Sequence, residues 1–311
     1  MSPTTSPFGP LAVLVDRRAG HGAVAGEVGP LERALVARGL EFRVQLGSSP
    51  EELRGLAAAA LEEGYRFLAA VGDDATVQDV VNGMFREGHP IVQDPVLGIV
   101  AAHTSSDLPR SFGLPLDVDG AVKHLAGAGT YPFDVMKIAV TDGGAERVVA
   151  YAHNVAEVGF HAAATIATGN GRRFPNTRRF LAFWRAYATS APRALTIRTD
   201  RATIQTRAWS VVIGNGQFAD GGIRLSPRSF PGDGVLDALV FTGPRSDAYR
   251  LLPRIFRHGD HLPDPHIKEL RAKLTIDITA SHPMPVVADG RRLGTTPVTF
   301  QVVPQQILLK V

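Results

Sequence analysis

The chain contains no cysteine, which excludes disulfides and thiolate metal sites and leaves carboxylate, hydroxyl, imidazole and amine groups for any chemistry. It also has no apolar run near the roughly 18 residues of a membrane span. The first ten residues, MSPTTSPFGP, lack the basic and apolar regions of a secretory signal. We therefore expect an intracellular protein that is neither exported by that route nor integral to a membrane.

Strong charge of one sign is absent too. The 33 Lys and Arg residues against 30 Asp and Glu residues give a net charge of +3, and the arginines are spread along the chain rather than gathered in one block. This balance is weak evidence for nucleic acid as a partner and somewhat better evidence for occasional contact with an anionic surface. With 311 residues, 44% of them hydrophobic, the chain is long enough for two domains with buried cores.

The first third of the sequence alternates short apolar runs with patterns typical of helices. The apolar runs are LAVLVD (11–16), EFRVQL (41–46), RFLAAVG (66–72) and PVLGIVAA (95–102). One helix is expected to begin with Ser49 as N-cap, Pro50 as first residue and Glu52 as reciprocal capping partner. This order predicts a parallel sheet with helices on both faces and a ligand beyond the carboxyl ends of its strands.

After about residue 130 the hydrophobic period shortens to two. VMKIAVTDGGAERVVAYAHNVAEVGF predicts two strands around a Gly-Gly turn, and ALTIRTDRATIQTRAWSVVIGN predicts a second pair around Thr199 and Asp200. Helical patterns interrupt the strands near 177–189 and 246–258. The fold class expected is therefore an α/β N-terminal domain, residues 1–130, followed by a mainly antiparallel β domain, residues 131–311.

The stretch AAVGDDATVQDVVNG (69–83) is the first candidate for a site. An apolar strand ends in Gly72, a tight turn carries Asp73 and Asp74, and a helix follows. A strand, a tight turn and a helix start form a general device for holding phosphate, because backbone amides and the helix dipole point at the anion. The alternative is an ordinary β-α turn with Asp74 as helix N-cap.

Several segments, in the same order along nearly the whole chain, resemble the diacylglycerol kinase catalytic family, bacterial lipid kinases related to sphingosine kinases and more remotely to NAD kinases. The Gly-Gly-Asp-Gly-Thr motif of that family corresponds to residues 72–76. Its second loop, Pro-Leu-Gly-Thr-Gly-Asn-Asp-Phe-Ala-Arg, corresponds to AAHTSSDLPR (101–110). Further matches are VGFHAAA (158–164), GNGQFADGGIRLSPRSFPGDGVLD (214–237) and ADGR (288–291).

Both loops depart from the family pattern. Two glycines of the first are replaced by Asp73 and Ala75, and only Thr104 and Asp107 remain of Gly-Thr-Gly-Asn-Asp in the second. A further carboxylate about 4 Å from a triphosphate is repelled by roughly 4 kcal/mol per charge pair at an effective dielectric constant near 20. Asp73 is therefore either an extra Mg²⁺ ligand or an obstacle to nucleotide binding.

The resemblance implies a lipid kinase that transfers the γ-phosphate of ATP, with Mg²⁺, to a diacylglycerol-type hydroxyl. The first domain would bind the nucleotide and the second the lipid acceptor. The residues implied in nucleotide and metal binding are Gly20, Gly72, Asp73, Asp74, Thr76, Thr104 and Asp107. Asp289 is the implied general base, with Asp74 also catalytic, and the alternative for Asp289 is an ordinary turn aspartate.

A structural Mg²⁺ site is also implied, in the segment SFPGDGVLD (229–237). Asp233 would supply its carboxylate, and Phe230 and Val235 their backbone carbonyls. The alternative for this segment is a plain Asp-Gly hairpin turn, and the sequence does not choose between the two.

The segment GRRFPNTRRFLAFWRAYATSAPR (171–193) mixes arginines with aromatic residues at helical spacing. Such a helix either packs its aromatic side chains on a core or docks at the headgroups of an anionic membrane. The expected partner is a lipid substrate at an anionic membrane surface. No nucleic acid partner is expected, and a homodimer is left open. The expected location is cytoplasmic and peripherally membrane-associated.

Two rival functions stay open. The first is a catalytically weakened or inactive lipid- or nucleotide-binding protein of the same fold, which the two altered loops favour. The second is a soluble-substrate kinase of the NAD kinase type, against which the basic aromatic helix argues.

Overall fold

The computed structural model describes residues 6–22, 24–101, 106–142, 144–168, 176–219, 221–244, 246–257 and 259–311. The chain forms two compact units. The N-terminal unit comprises Met1–Asp134 and Pro304–Val311, and the C-terminal unit comprises Val135–Val303. The sequence-based boundary at 130/131 is close to this division, but it places the last eight residues in the second domain. They belong to the N-terminal unit because Leu308 and Leu309 pair with a strand of its sheet.

The N-terminal unit is built on parallel strands. Its elements are β1 (Leu11–Asp16), a 3-10 turn (Ala19–Gly22), α1 (Val24–Ala37), β2 (Phe42–Gly47), α2 (Pro50–Glu62), β3 (Phe67–Gly72), α3 (Asp74–Gly83), β4 (Phe85–Arg86), β5 (His89–Pro90), β6 (Val96–Ala101), α4 (Asp107–Phe112) and α5 (Val118–Ala126). The strands lie in the order β2-β1-β3-β6, all parallel. The predicted parallel sheet is confirmed.

The local sequence explains why these elements form. Every residue of β1, β3 and β6 is buried, which is the reason that these strands are continuous apolar runs rather than alternating ones. Helix α2 starts as predicted, with the Ser49 hydroxyl accepting a hydrogen bond from the Glu52 amide at 3.1 Å. The Glu52 carboxylate in return accepts from the amide of Ser48.

The C-terminal unit is mainly antiparallel. Its elements, with two strands shared across the boundary, are β7 (Thr130–Asp142), β8 (Ala145–Ala152), β9 (Val155–Gly159), α6 (Phe160–Thr168), α7 (Asn176–Thr189), β10 (Arg193–Thr199), β11 (Thr203–Ala208), β12 (Ser210–Gly214), β13 (Phe218–Ala219), β14 (Ile223–Arg224), β15 (Leu236–Phe241), α8 (Asp247–Arg257), β16 (Ile267–Ala272), β17 (Thr275–Ala280), β18 (Pro285–Ala288), β19 (Arg291–Thr295) and β20 (Val298–Lys310). One sheet has the order β16-β15-β12-β9-β18-β19.

The other strands of this unit include β11-β10-β17-β20, and apolar residues of both groups share one core. The predicted antiparallel β architecture and both interrupting helices, α7 and α8, are confirmed. Helix α6 was not expected, because VGF continues the alternating pattern of β9. The strand turns into the helix at Gly159, whose φ of 84° is a conformation that side chains other than glycine rarely adopt.

Candidate functional site

The first predicted loop lies at the carboxyl end of β3. Asp73 is the N-cap of α3, in place of the Asp74 that the alternative interpretation named, and its Oδ1 accepts a hydrogen bond from the Thr76 amide at 3.0 Å. The buried Thr76 hydroxyl lies 3.2 Å from a carboxylate oxygen of Asp73 and of Asp16. A Cβ at Gly72 would lie 2.1 Å from that hydroxyl oxygen. Glycine at 72 is thus required by the packing of Thr76.

Asp74 connects the two predicted loops. Both of its carboxylate oxygens lie 2.9 Å from the amide of Asp107, and Oδ1 also accepts from the amide of Leu108 at 3.2 Å. These amides open α4, whose own N-cap residue, Ser106, makes no side-chain capping bond. The carboxylate of Asp74 therefore occupies the anion position at the start of α4.

A network of charges beside this loop was missed from the sequence. Arg18 donates two hydrogen bonds to the carboxylate of Asp16, from Nε at 2.9 Å and from Nη2 at 2.8 Å, which raises the pKa of Arg18. Nη2 also lies 3.6 Å from the fully buried Asp79, and Arg54 Nε lies 3.3 Å from the same carboxylate. The sequence does contain a signal for this network, since Asp16, Arg17 and Arg18 directly follow the apolar residues of LVDRR (14–18).

The backbone of this site fits a phosphate, since a strand, a turn and a helix start are all present. The amide of Thr76 is bonded to Asp73, and the amides that open α4 are bonded to Asp74, so a phosphate competes with the chain's own carboxylates. Mg²⁺ binds both carboxylate and phosphate oxygens, so a Mg²⁺ ion would allow the phosphate and these carboxylates to lie close together.

Gly20, another residue predicted to bind the nucleotide, has a φ of 64°, which glycine adopts without strain. Thr104 lies outside the described residues.

Asp289 lies in the C-terminal unit, in the two-residue turn between β18 and β19. The φ values of 44° at Asp289 and 76° at Gly290 are typical of a type I′ turn, which an Asp-Gly pair favours. The side chain is 1% exposed, and its Oδ2 lies 3.0 Å from His153 Nδ1. It also accepts hydrogen bonds from the amides of His153, Asn154 and Val155 at 2.8, 3.1 and 3.0 Å.

These contacts bear on the base predicted at this position. Burial by itself would raise the pKa of Asp289, but the charge of His153 and the hydrogen bonds of His153 and Val155 lower the pKa overall. A carboxylate has about four lone-pair directions, and three amide donors and the His153 ring surround this one. Asp289 is therefore ionised near neutral pH, with most of its lone pairs already accepting hydrogen bonds. Its role as general base stays a prediction.

The segment predicted to hold a structural metal has different contacts. Asp233 Oδ1 accepts from the amide of Val235 at 3.0 Å, and Oδ2 lies 3.3 Å from an Arg271 nitrogen. The carbonyl of Phe230 accepts from the amide of Gly232 at 2.9 Å within the turn. The exposed guanidinium of Arg271 is thus shared between Asp233 and Asp237, and the metal site at Asp233 stays a prediction. Among the described residues, no group of three or more His, Asp or Glu side chains could hold a metal ion.

Comparison with known proteins assigns the chain to a family. Residues 10–138 match the diacylglycerol kinase catalytic domain, and residues 154–311, half of the chain, match the YegS C-terminal NAD kinase beta sandwich-like domain. The chain belongs to the family of diacylglycerol kinases and YegS lipid kinases. The resemblance inferred from the loop motifs is confirmed.

Individual relatives of this lipid kinase family member span nearly its full length. A diacylglycerol kinase of Mycobacterium tuberculosis is 26% identical over 302 residues, 96% of this chain and 93% of the relative. An Escherichia coli protein named "Probable lipid kinase YegS" is 29% identical over 259 residues, 81% of each chain.

Solved structures share the fold at low identity. A diacylglycerol kinase from Bacillus anthracis has a TM-score of 0.71 at 18% identity and covers 98% of both chains. Yeast NADH kinase complexed with NADH has a TM-score of 0.53 at 12% identity, covering 96% of this chain and 82% of its own. These structures confirm the predicted fold class. Within the described residues, no helix has the length and hydropathy that crossing a membrane requires.

Proposed function

We propose that this family member transfers the γ-phosphate of ATP to the hydroxyl of a diacylglycerol-type lipid. The observation that supports the proposal is the contact of the Asp74 carboxylate with the amides of Asp107 and Leu108, which ties the two predicted phosphate loops together. Phosphoryl transfer depends mainly on positioning and on charge stabilisation, so a fixed pair of loops is what the reaction needs. ATP would supply the phosphoryl group and leave as ADP, and Mg²⁺, held by Asp73, would offset the phosphate charge.

The chain's own residues have distinct parts in this proposal. Asp74 positions the start of α4, and the buried Thr76 anchors the start of α3 to Asp16. Arg18, held by Asp16 and Asp79, places a cation at the carboxyl end of β1 and offsets part of the negative charge there. Asp289 fixes the main chain at 153–155, and the base role stays assigned to it only as a prediction.

The proposal is tested by transfer of labelled γ-phosphate from ATP, with Mg²⁺, to a panel of lipids in mixed micelles. We expect one lipid class to be labelled and Asp74→Asn to lower the rate about 100-fold, because its NH₂ group would face the amides that now bind the carboxylate and would shift α4. Asp94→Asn, an exposed change in the same unit, is the matched control and should keep the rate. Absence of transfer by a protein that still binds ATP would refute the kinase proposal.

One observation favours the second candidate, a catalytically weakened or inactive lipid- or nucleotide-binding protein of the same fold. Asp73 stands where the family has glycine, and its carboxylate already accepts the amide of Thr76, one of the donors that a phosphate would use. The start of α3 is therefore capped from within the chain.

Asp73→Asn separates the two candidates. Asparagine is as good an N-cap as aspartate but carries no charge. We therefore expect Asp73→Asn to bind ATP at least about tenfold more tightly without Mg²⁺, measured by titration calorimetry, because one repulsive pair is removed. Asp94→Asn should leave the affinity unchanged. If Asp73→Asn instead weakens binding of Mg²⁺-ATP and slows transfer, Asp73 is a metal ligand and the second candidate fails.

A further inference from the structure

Helix α7 has two different faces within the C-terminal unit. Phe183 and Tyr187 pack on Phe160, with ring centroids 5.4 and 5.9 Å apart, and so belong to the core. Leu181, by contrast, is 70% exposed, and the exposed Arg185 lies one helical turn further on the same side. The sequence left core packing and surface docking open as alternatives for this helix. The structure shows one face packed on the core and leaves the opposite face available for docking.

The outer face of α7 continues onto α8. The half-buried Trp184 stacks on Tyr249 with ring centroids 5.5 Å apart and an interplanar angle of 27°, and Tyr249 is 63% exposed. We call Leu181, Trp184, Arg185 and Tyr249 the α7–α8 face. Tryptophan and tyrosine combine an apolar body with a polar tip, which suits a boundary between water and hydrocarbon.

The segment of sequence that contains α7 carries charge of one sign. Residues 158–199 contain no Asp, Glu or Lys but seven arginines, and the structure describes the side chains of three of them, Arg185, Arg193 and Arg198. On α8, the acidic residue Asp247 is buried and lies beside His266 and Arg250. A cationic segment attracts the anionic headgroups of a lipid leaflet. It disfavours a second copy of the same face, because like charges would then meet.

We propose that the α7–α8 face docks the protein on the surface of an anionic lipid bilayer. Leu181 enters the acyl boundary, Trp184 and Tyr249 lie at headgroup level, and Arg185 contacts lipid phosphates. The proposal rests on the proposed lipid kinase function, because the face is the surface through which that enzyme would reach its lipid substrate. Docking itself requires neither ATP nor turnover and is measured separately.

Flotation with vesicles tests the face directly. We expect the wild-type protein to float with vesicles of phosphatidylglycerol and phosphatidylcholine, and much less with phosphatidylcholine alone. Leu181→Glu and Arg185→Glu should each lower the partition coefficient about 20-fold. Leu274→Glu is the matched control, because Leu274 is 64% exposed and lies between β16 and β17, away from these helices in sequence. It should float like the wild type.

Tryptophan fluorescence provides a second measurement that does not depend on destabilising variants. The chain has two tryptophans, and Trp209 is only 3% exposed. Binding of the same anionic vesicles should shift the emission of Trp184 to shorter wavelength, and brominated lipids should quench it. Trp184→Phe should remove both effects while the remaining emission of Trp209 stays unchanged.

The outcomes are distinct. Failure of the wild type to float with anionic vesicles, or an equal loss in Leu274→Glu and Leu181→Glu, overturns the docking face. Self-association that Leu181→Glu abolishes, without flotation, assigns the face to a second copy of the chain. Lipid phosphorylation in micelles without flotation refutes the face and leaves the kinase standing, whereas flotation without any transfer refutes the kinase and leaves the face standing.

Discussion

Asp289→Asn is expected to lower the free energy of unfolding of the C-terminal unit by about 3–5 kcal/mol. The carboxylate accepts hydrogen bonds from three consecutive amides and lies opposite His153, all in a buried site. A side-chain amide offers one oxygen and one NH₂ group, so the NH₂ group would face buried backbone donors. The same change removes the negative charge that faces His153. Urea denaturation followed by circular dichroism measures the loss.

A matched control is available in another turn of the same unit. Asp200, between β10 and β11, accepts a hydrogen bond from the amide of Lys273 at 2.9 Å, and its side chain is 16% exposed against 1% for Asp289. Asp200→Asn should change stability by less than about 1 kcal/mol. If Asp289→Asn unfolds like the wild type but abolishes phosphate transfer, Asp289 acts in the chemistry, and the base predicted from the sequence gains its support.

A fall in pH from 6.5 to 4.5 is expected to remove about 5 kcal/mol of the stability of the C-terminal unit. Burial lowers the pKa of His161 to about 3 and that of His261 to about 4. In the unfolded chain both side chains titrate near pH 6.5. Below that value the unfolded chain binds protons that the folded chain does not, so stability falls as pH falls. Each histidine contributes about 1.4 kcal/mol per pH unit.

The surroundings of the two histidines explain this behaviour. His161 Nδ1 lies 2.7 Å from the Ser210 hydroxyl, and its ring stacks on Trp209 in a buried aromatic cluster. Burial lowers the pKa of His161, and the charge of His261 lowers it further. His261 is fully buried, near Arg254, Asp260 and Asp264. The hydrogen bond of Arg250 and, to a lesser extent, its charge lower the pKa of Asp264 to about 2, so that carboxylate stays ionised between pH 6.5 and pH 4.5.

Urea denaturation at several pH values checks this prediction. His161→Gln should remove about half of the slope of stability against pH, because glutamine does not titrate. His282→Gln, a change at an exposed histidine, should leave the slope unchanged. Equal stability of the wild type at pH 6.5 and pH 4.5 would contradict the assignment of both histidines as neutral buried groups.

The sequence predicts the elements of the fold well where one local rule decides. Continuous apolar runs give the buried parallel strands β1 and β3, and Ser49 with Glu52 gives the start of α2. It fails for α6, because the end of β9 depends on Gly159. A Cβ at that glycine would lie 2.4 Å from Met284, which directly precedes β18 and is far from Gly159 in sequence. Such a contact cannot be read from spacing.

The candidate site divides in the same way. Spacing locates the loop at residues 72–76 and a helix at 177–189. It does not show that Asp74 bonds to an amide 33 residues later, nor that Arg18 lies between Asp16 and Asp79, since both contacts depend on the order of strands in the sheet. Helical spacing likewise gives the faces of α7 but not which of them is covered.

The return of the chain to its first unit has a consequence for biosynthesis. Strand β6 is buried along its whole length and pairs with β3 on one side and with Leu308 and Leu309 on the other. The ribosome makes residues 1–134 first, but their sheet keeps an open edge until residues 304–311 have emerged. Translation that stops before this segment leaves a nascent protein with a bare apolar strand, which favours aggregation and exposes the product to chaperones and proteases.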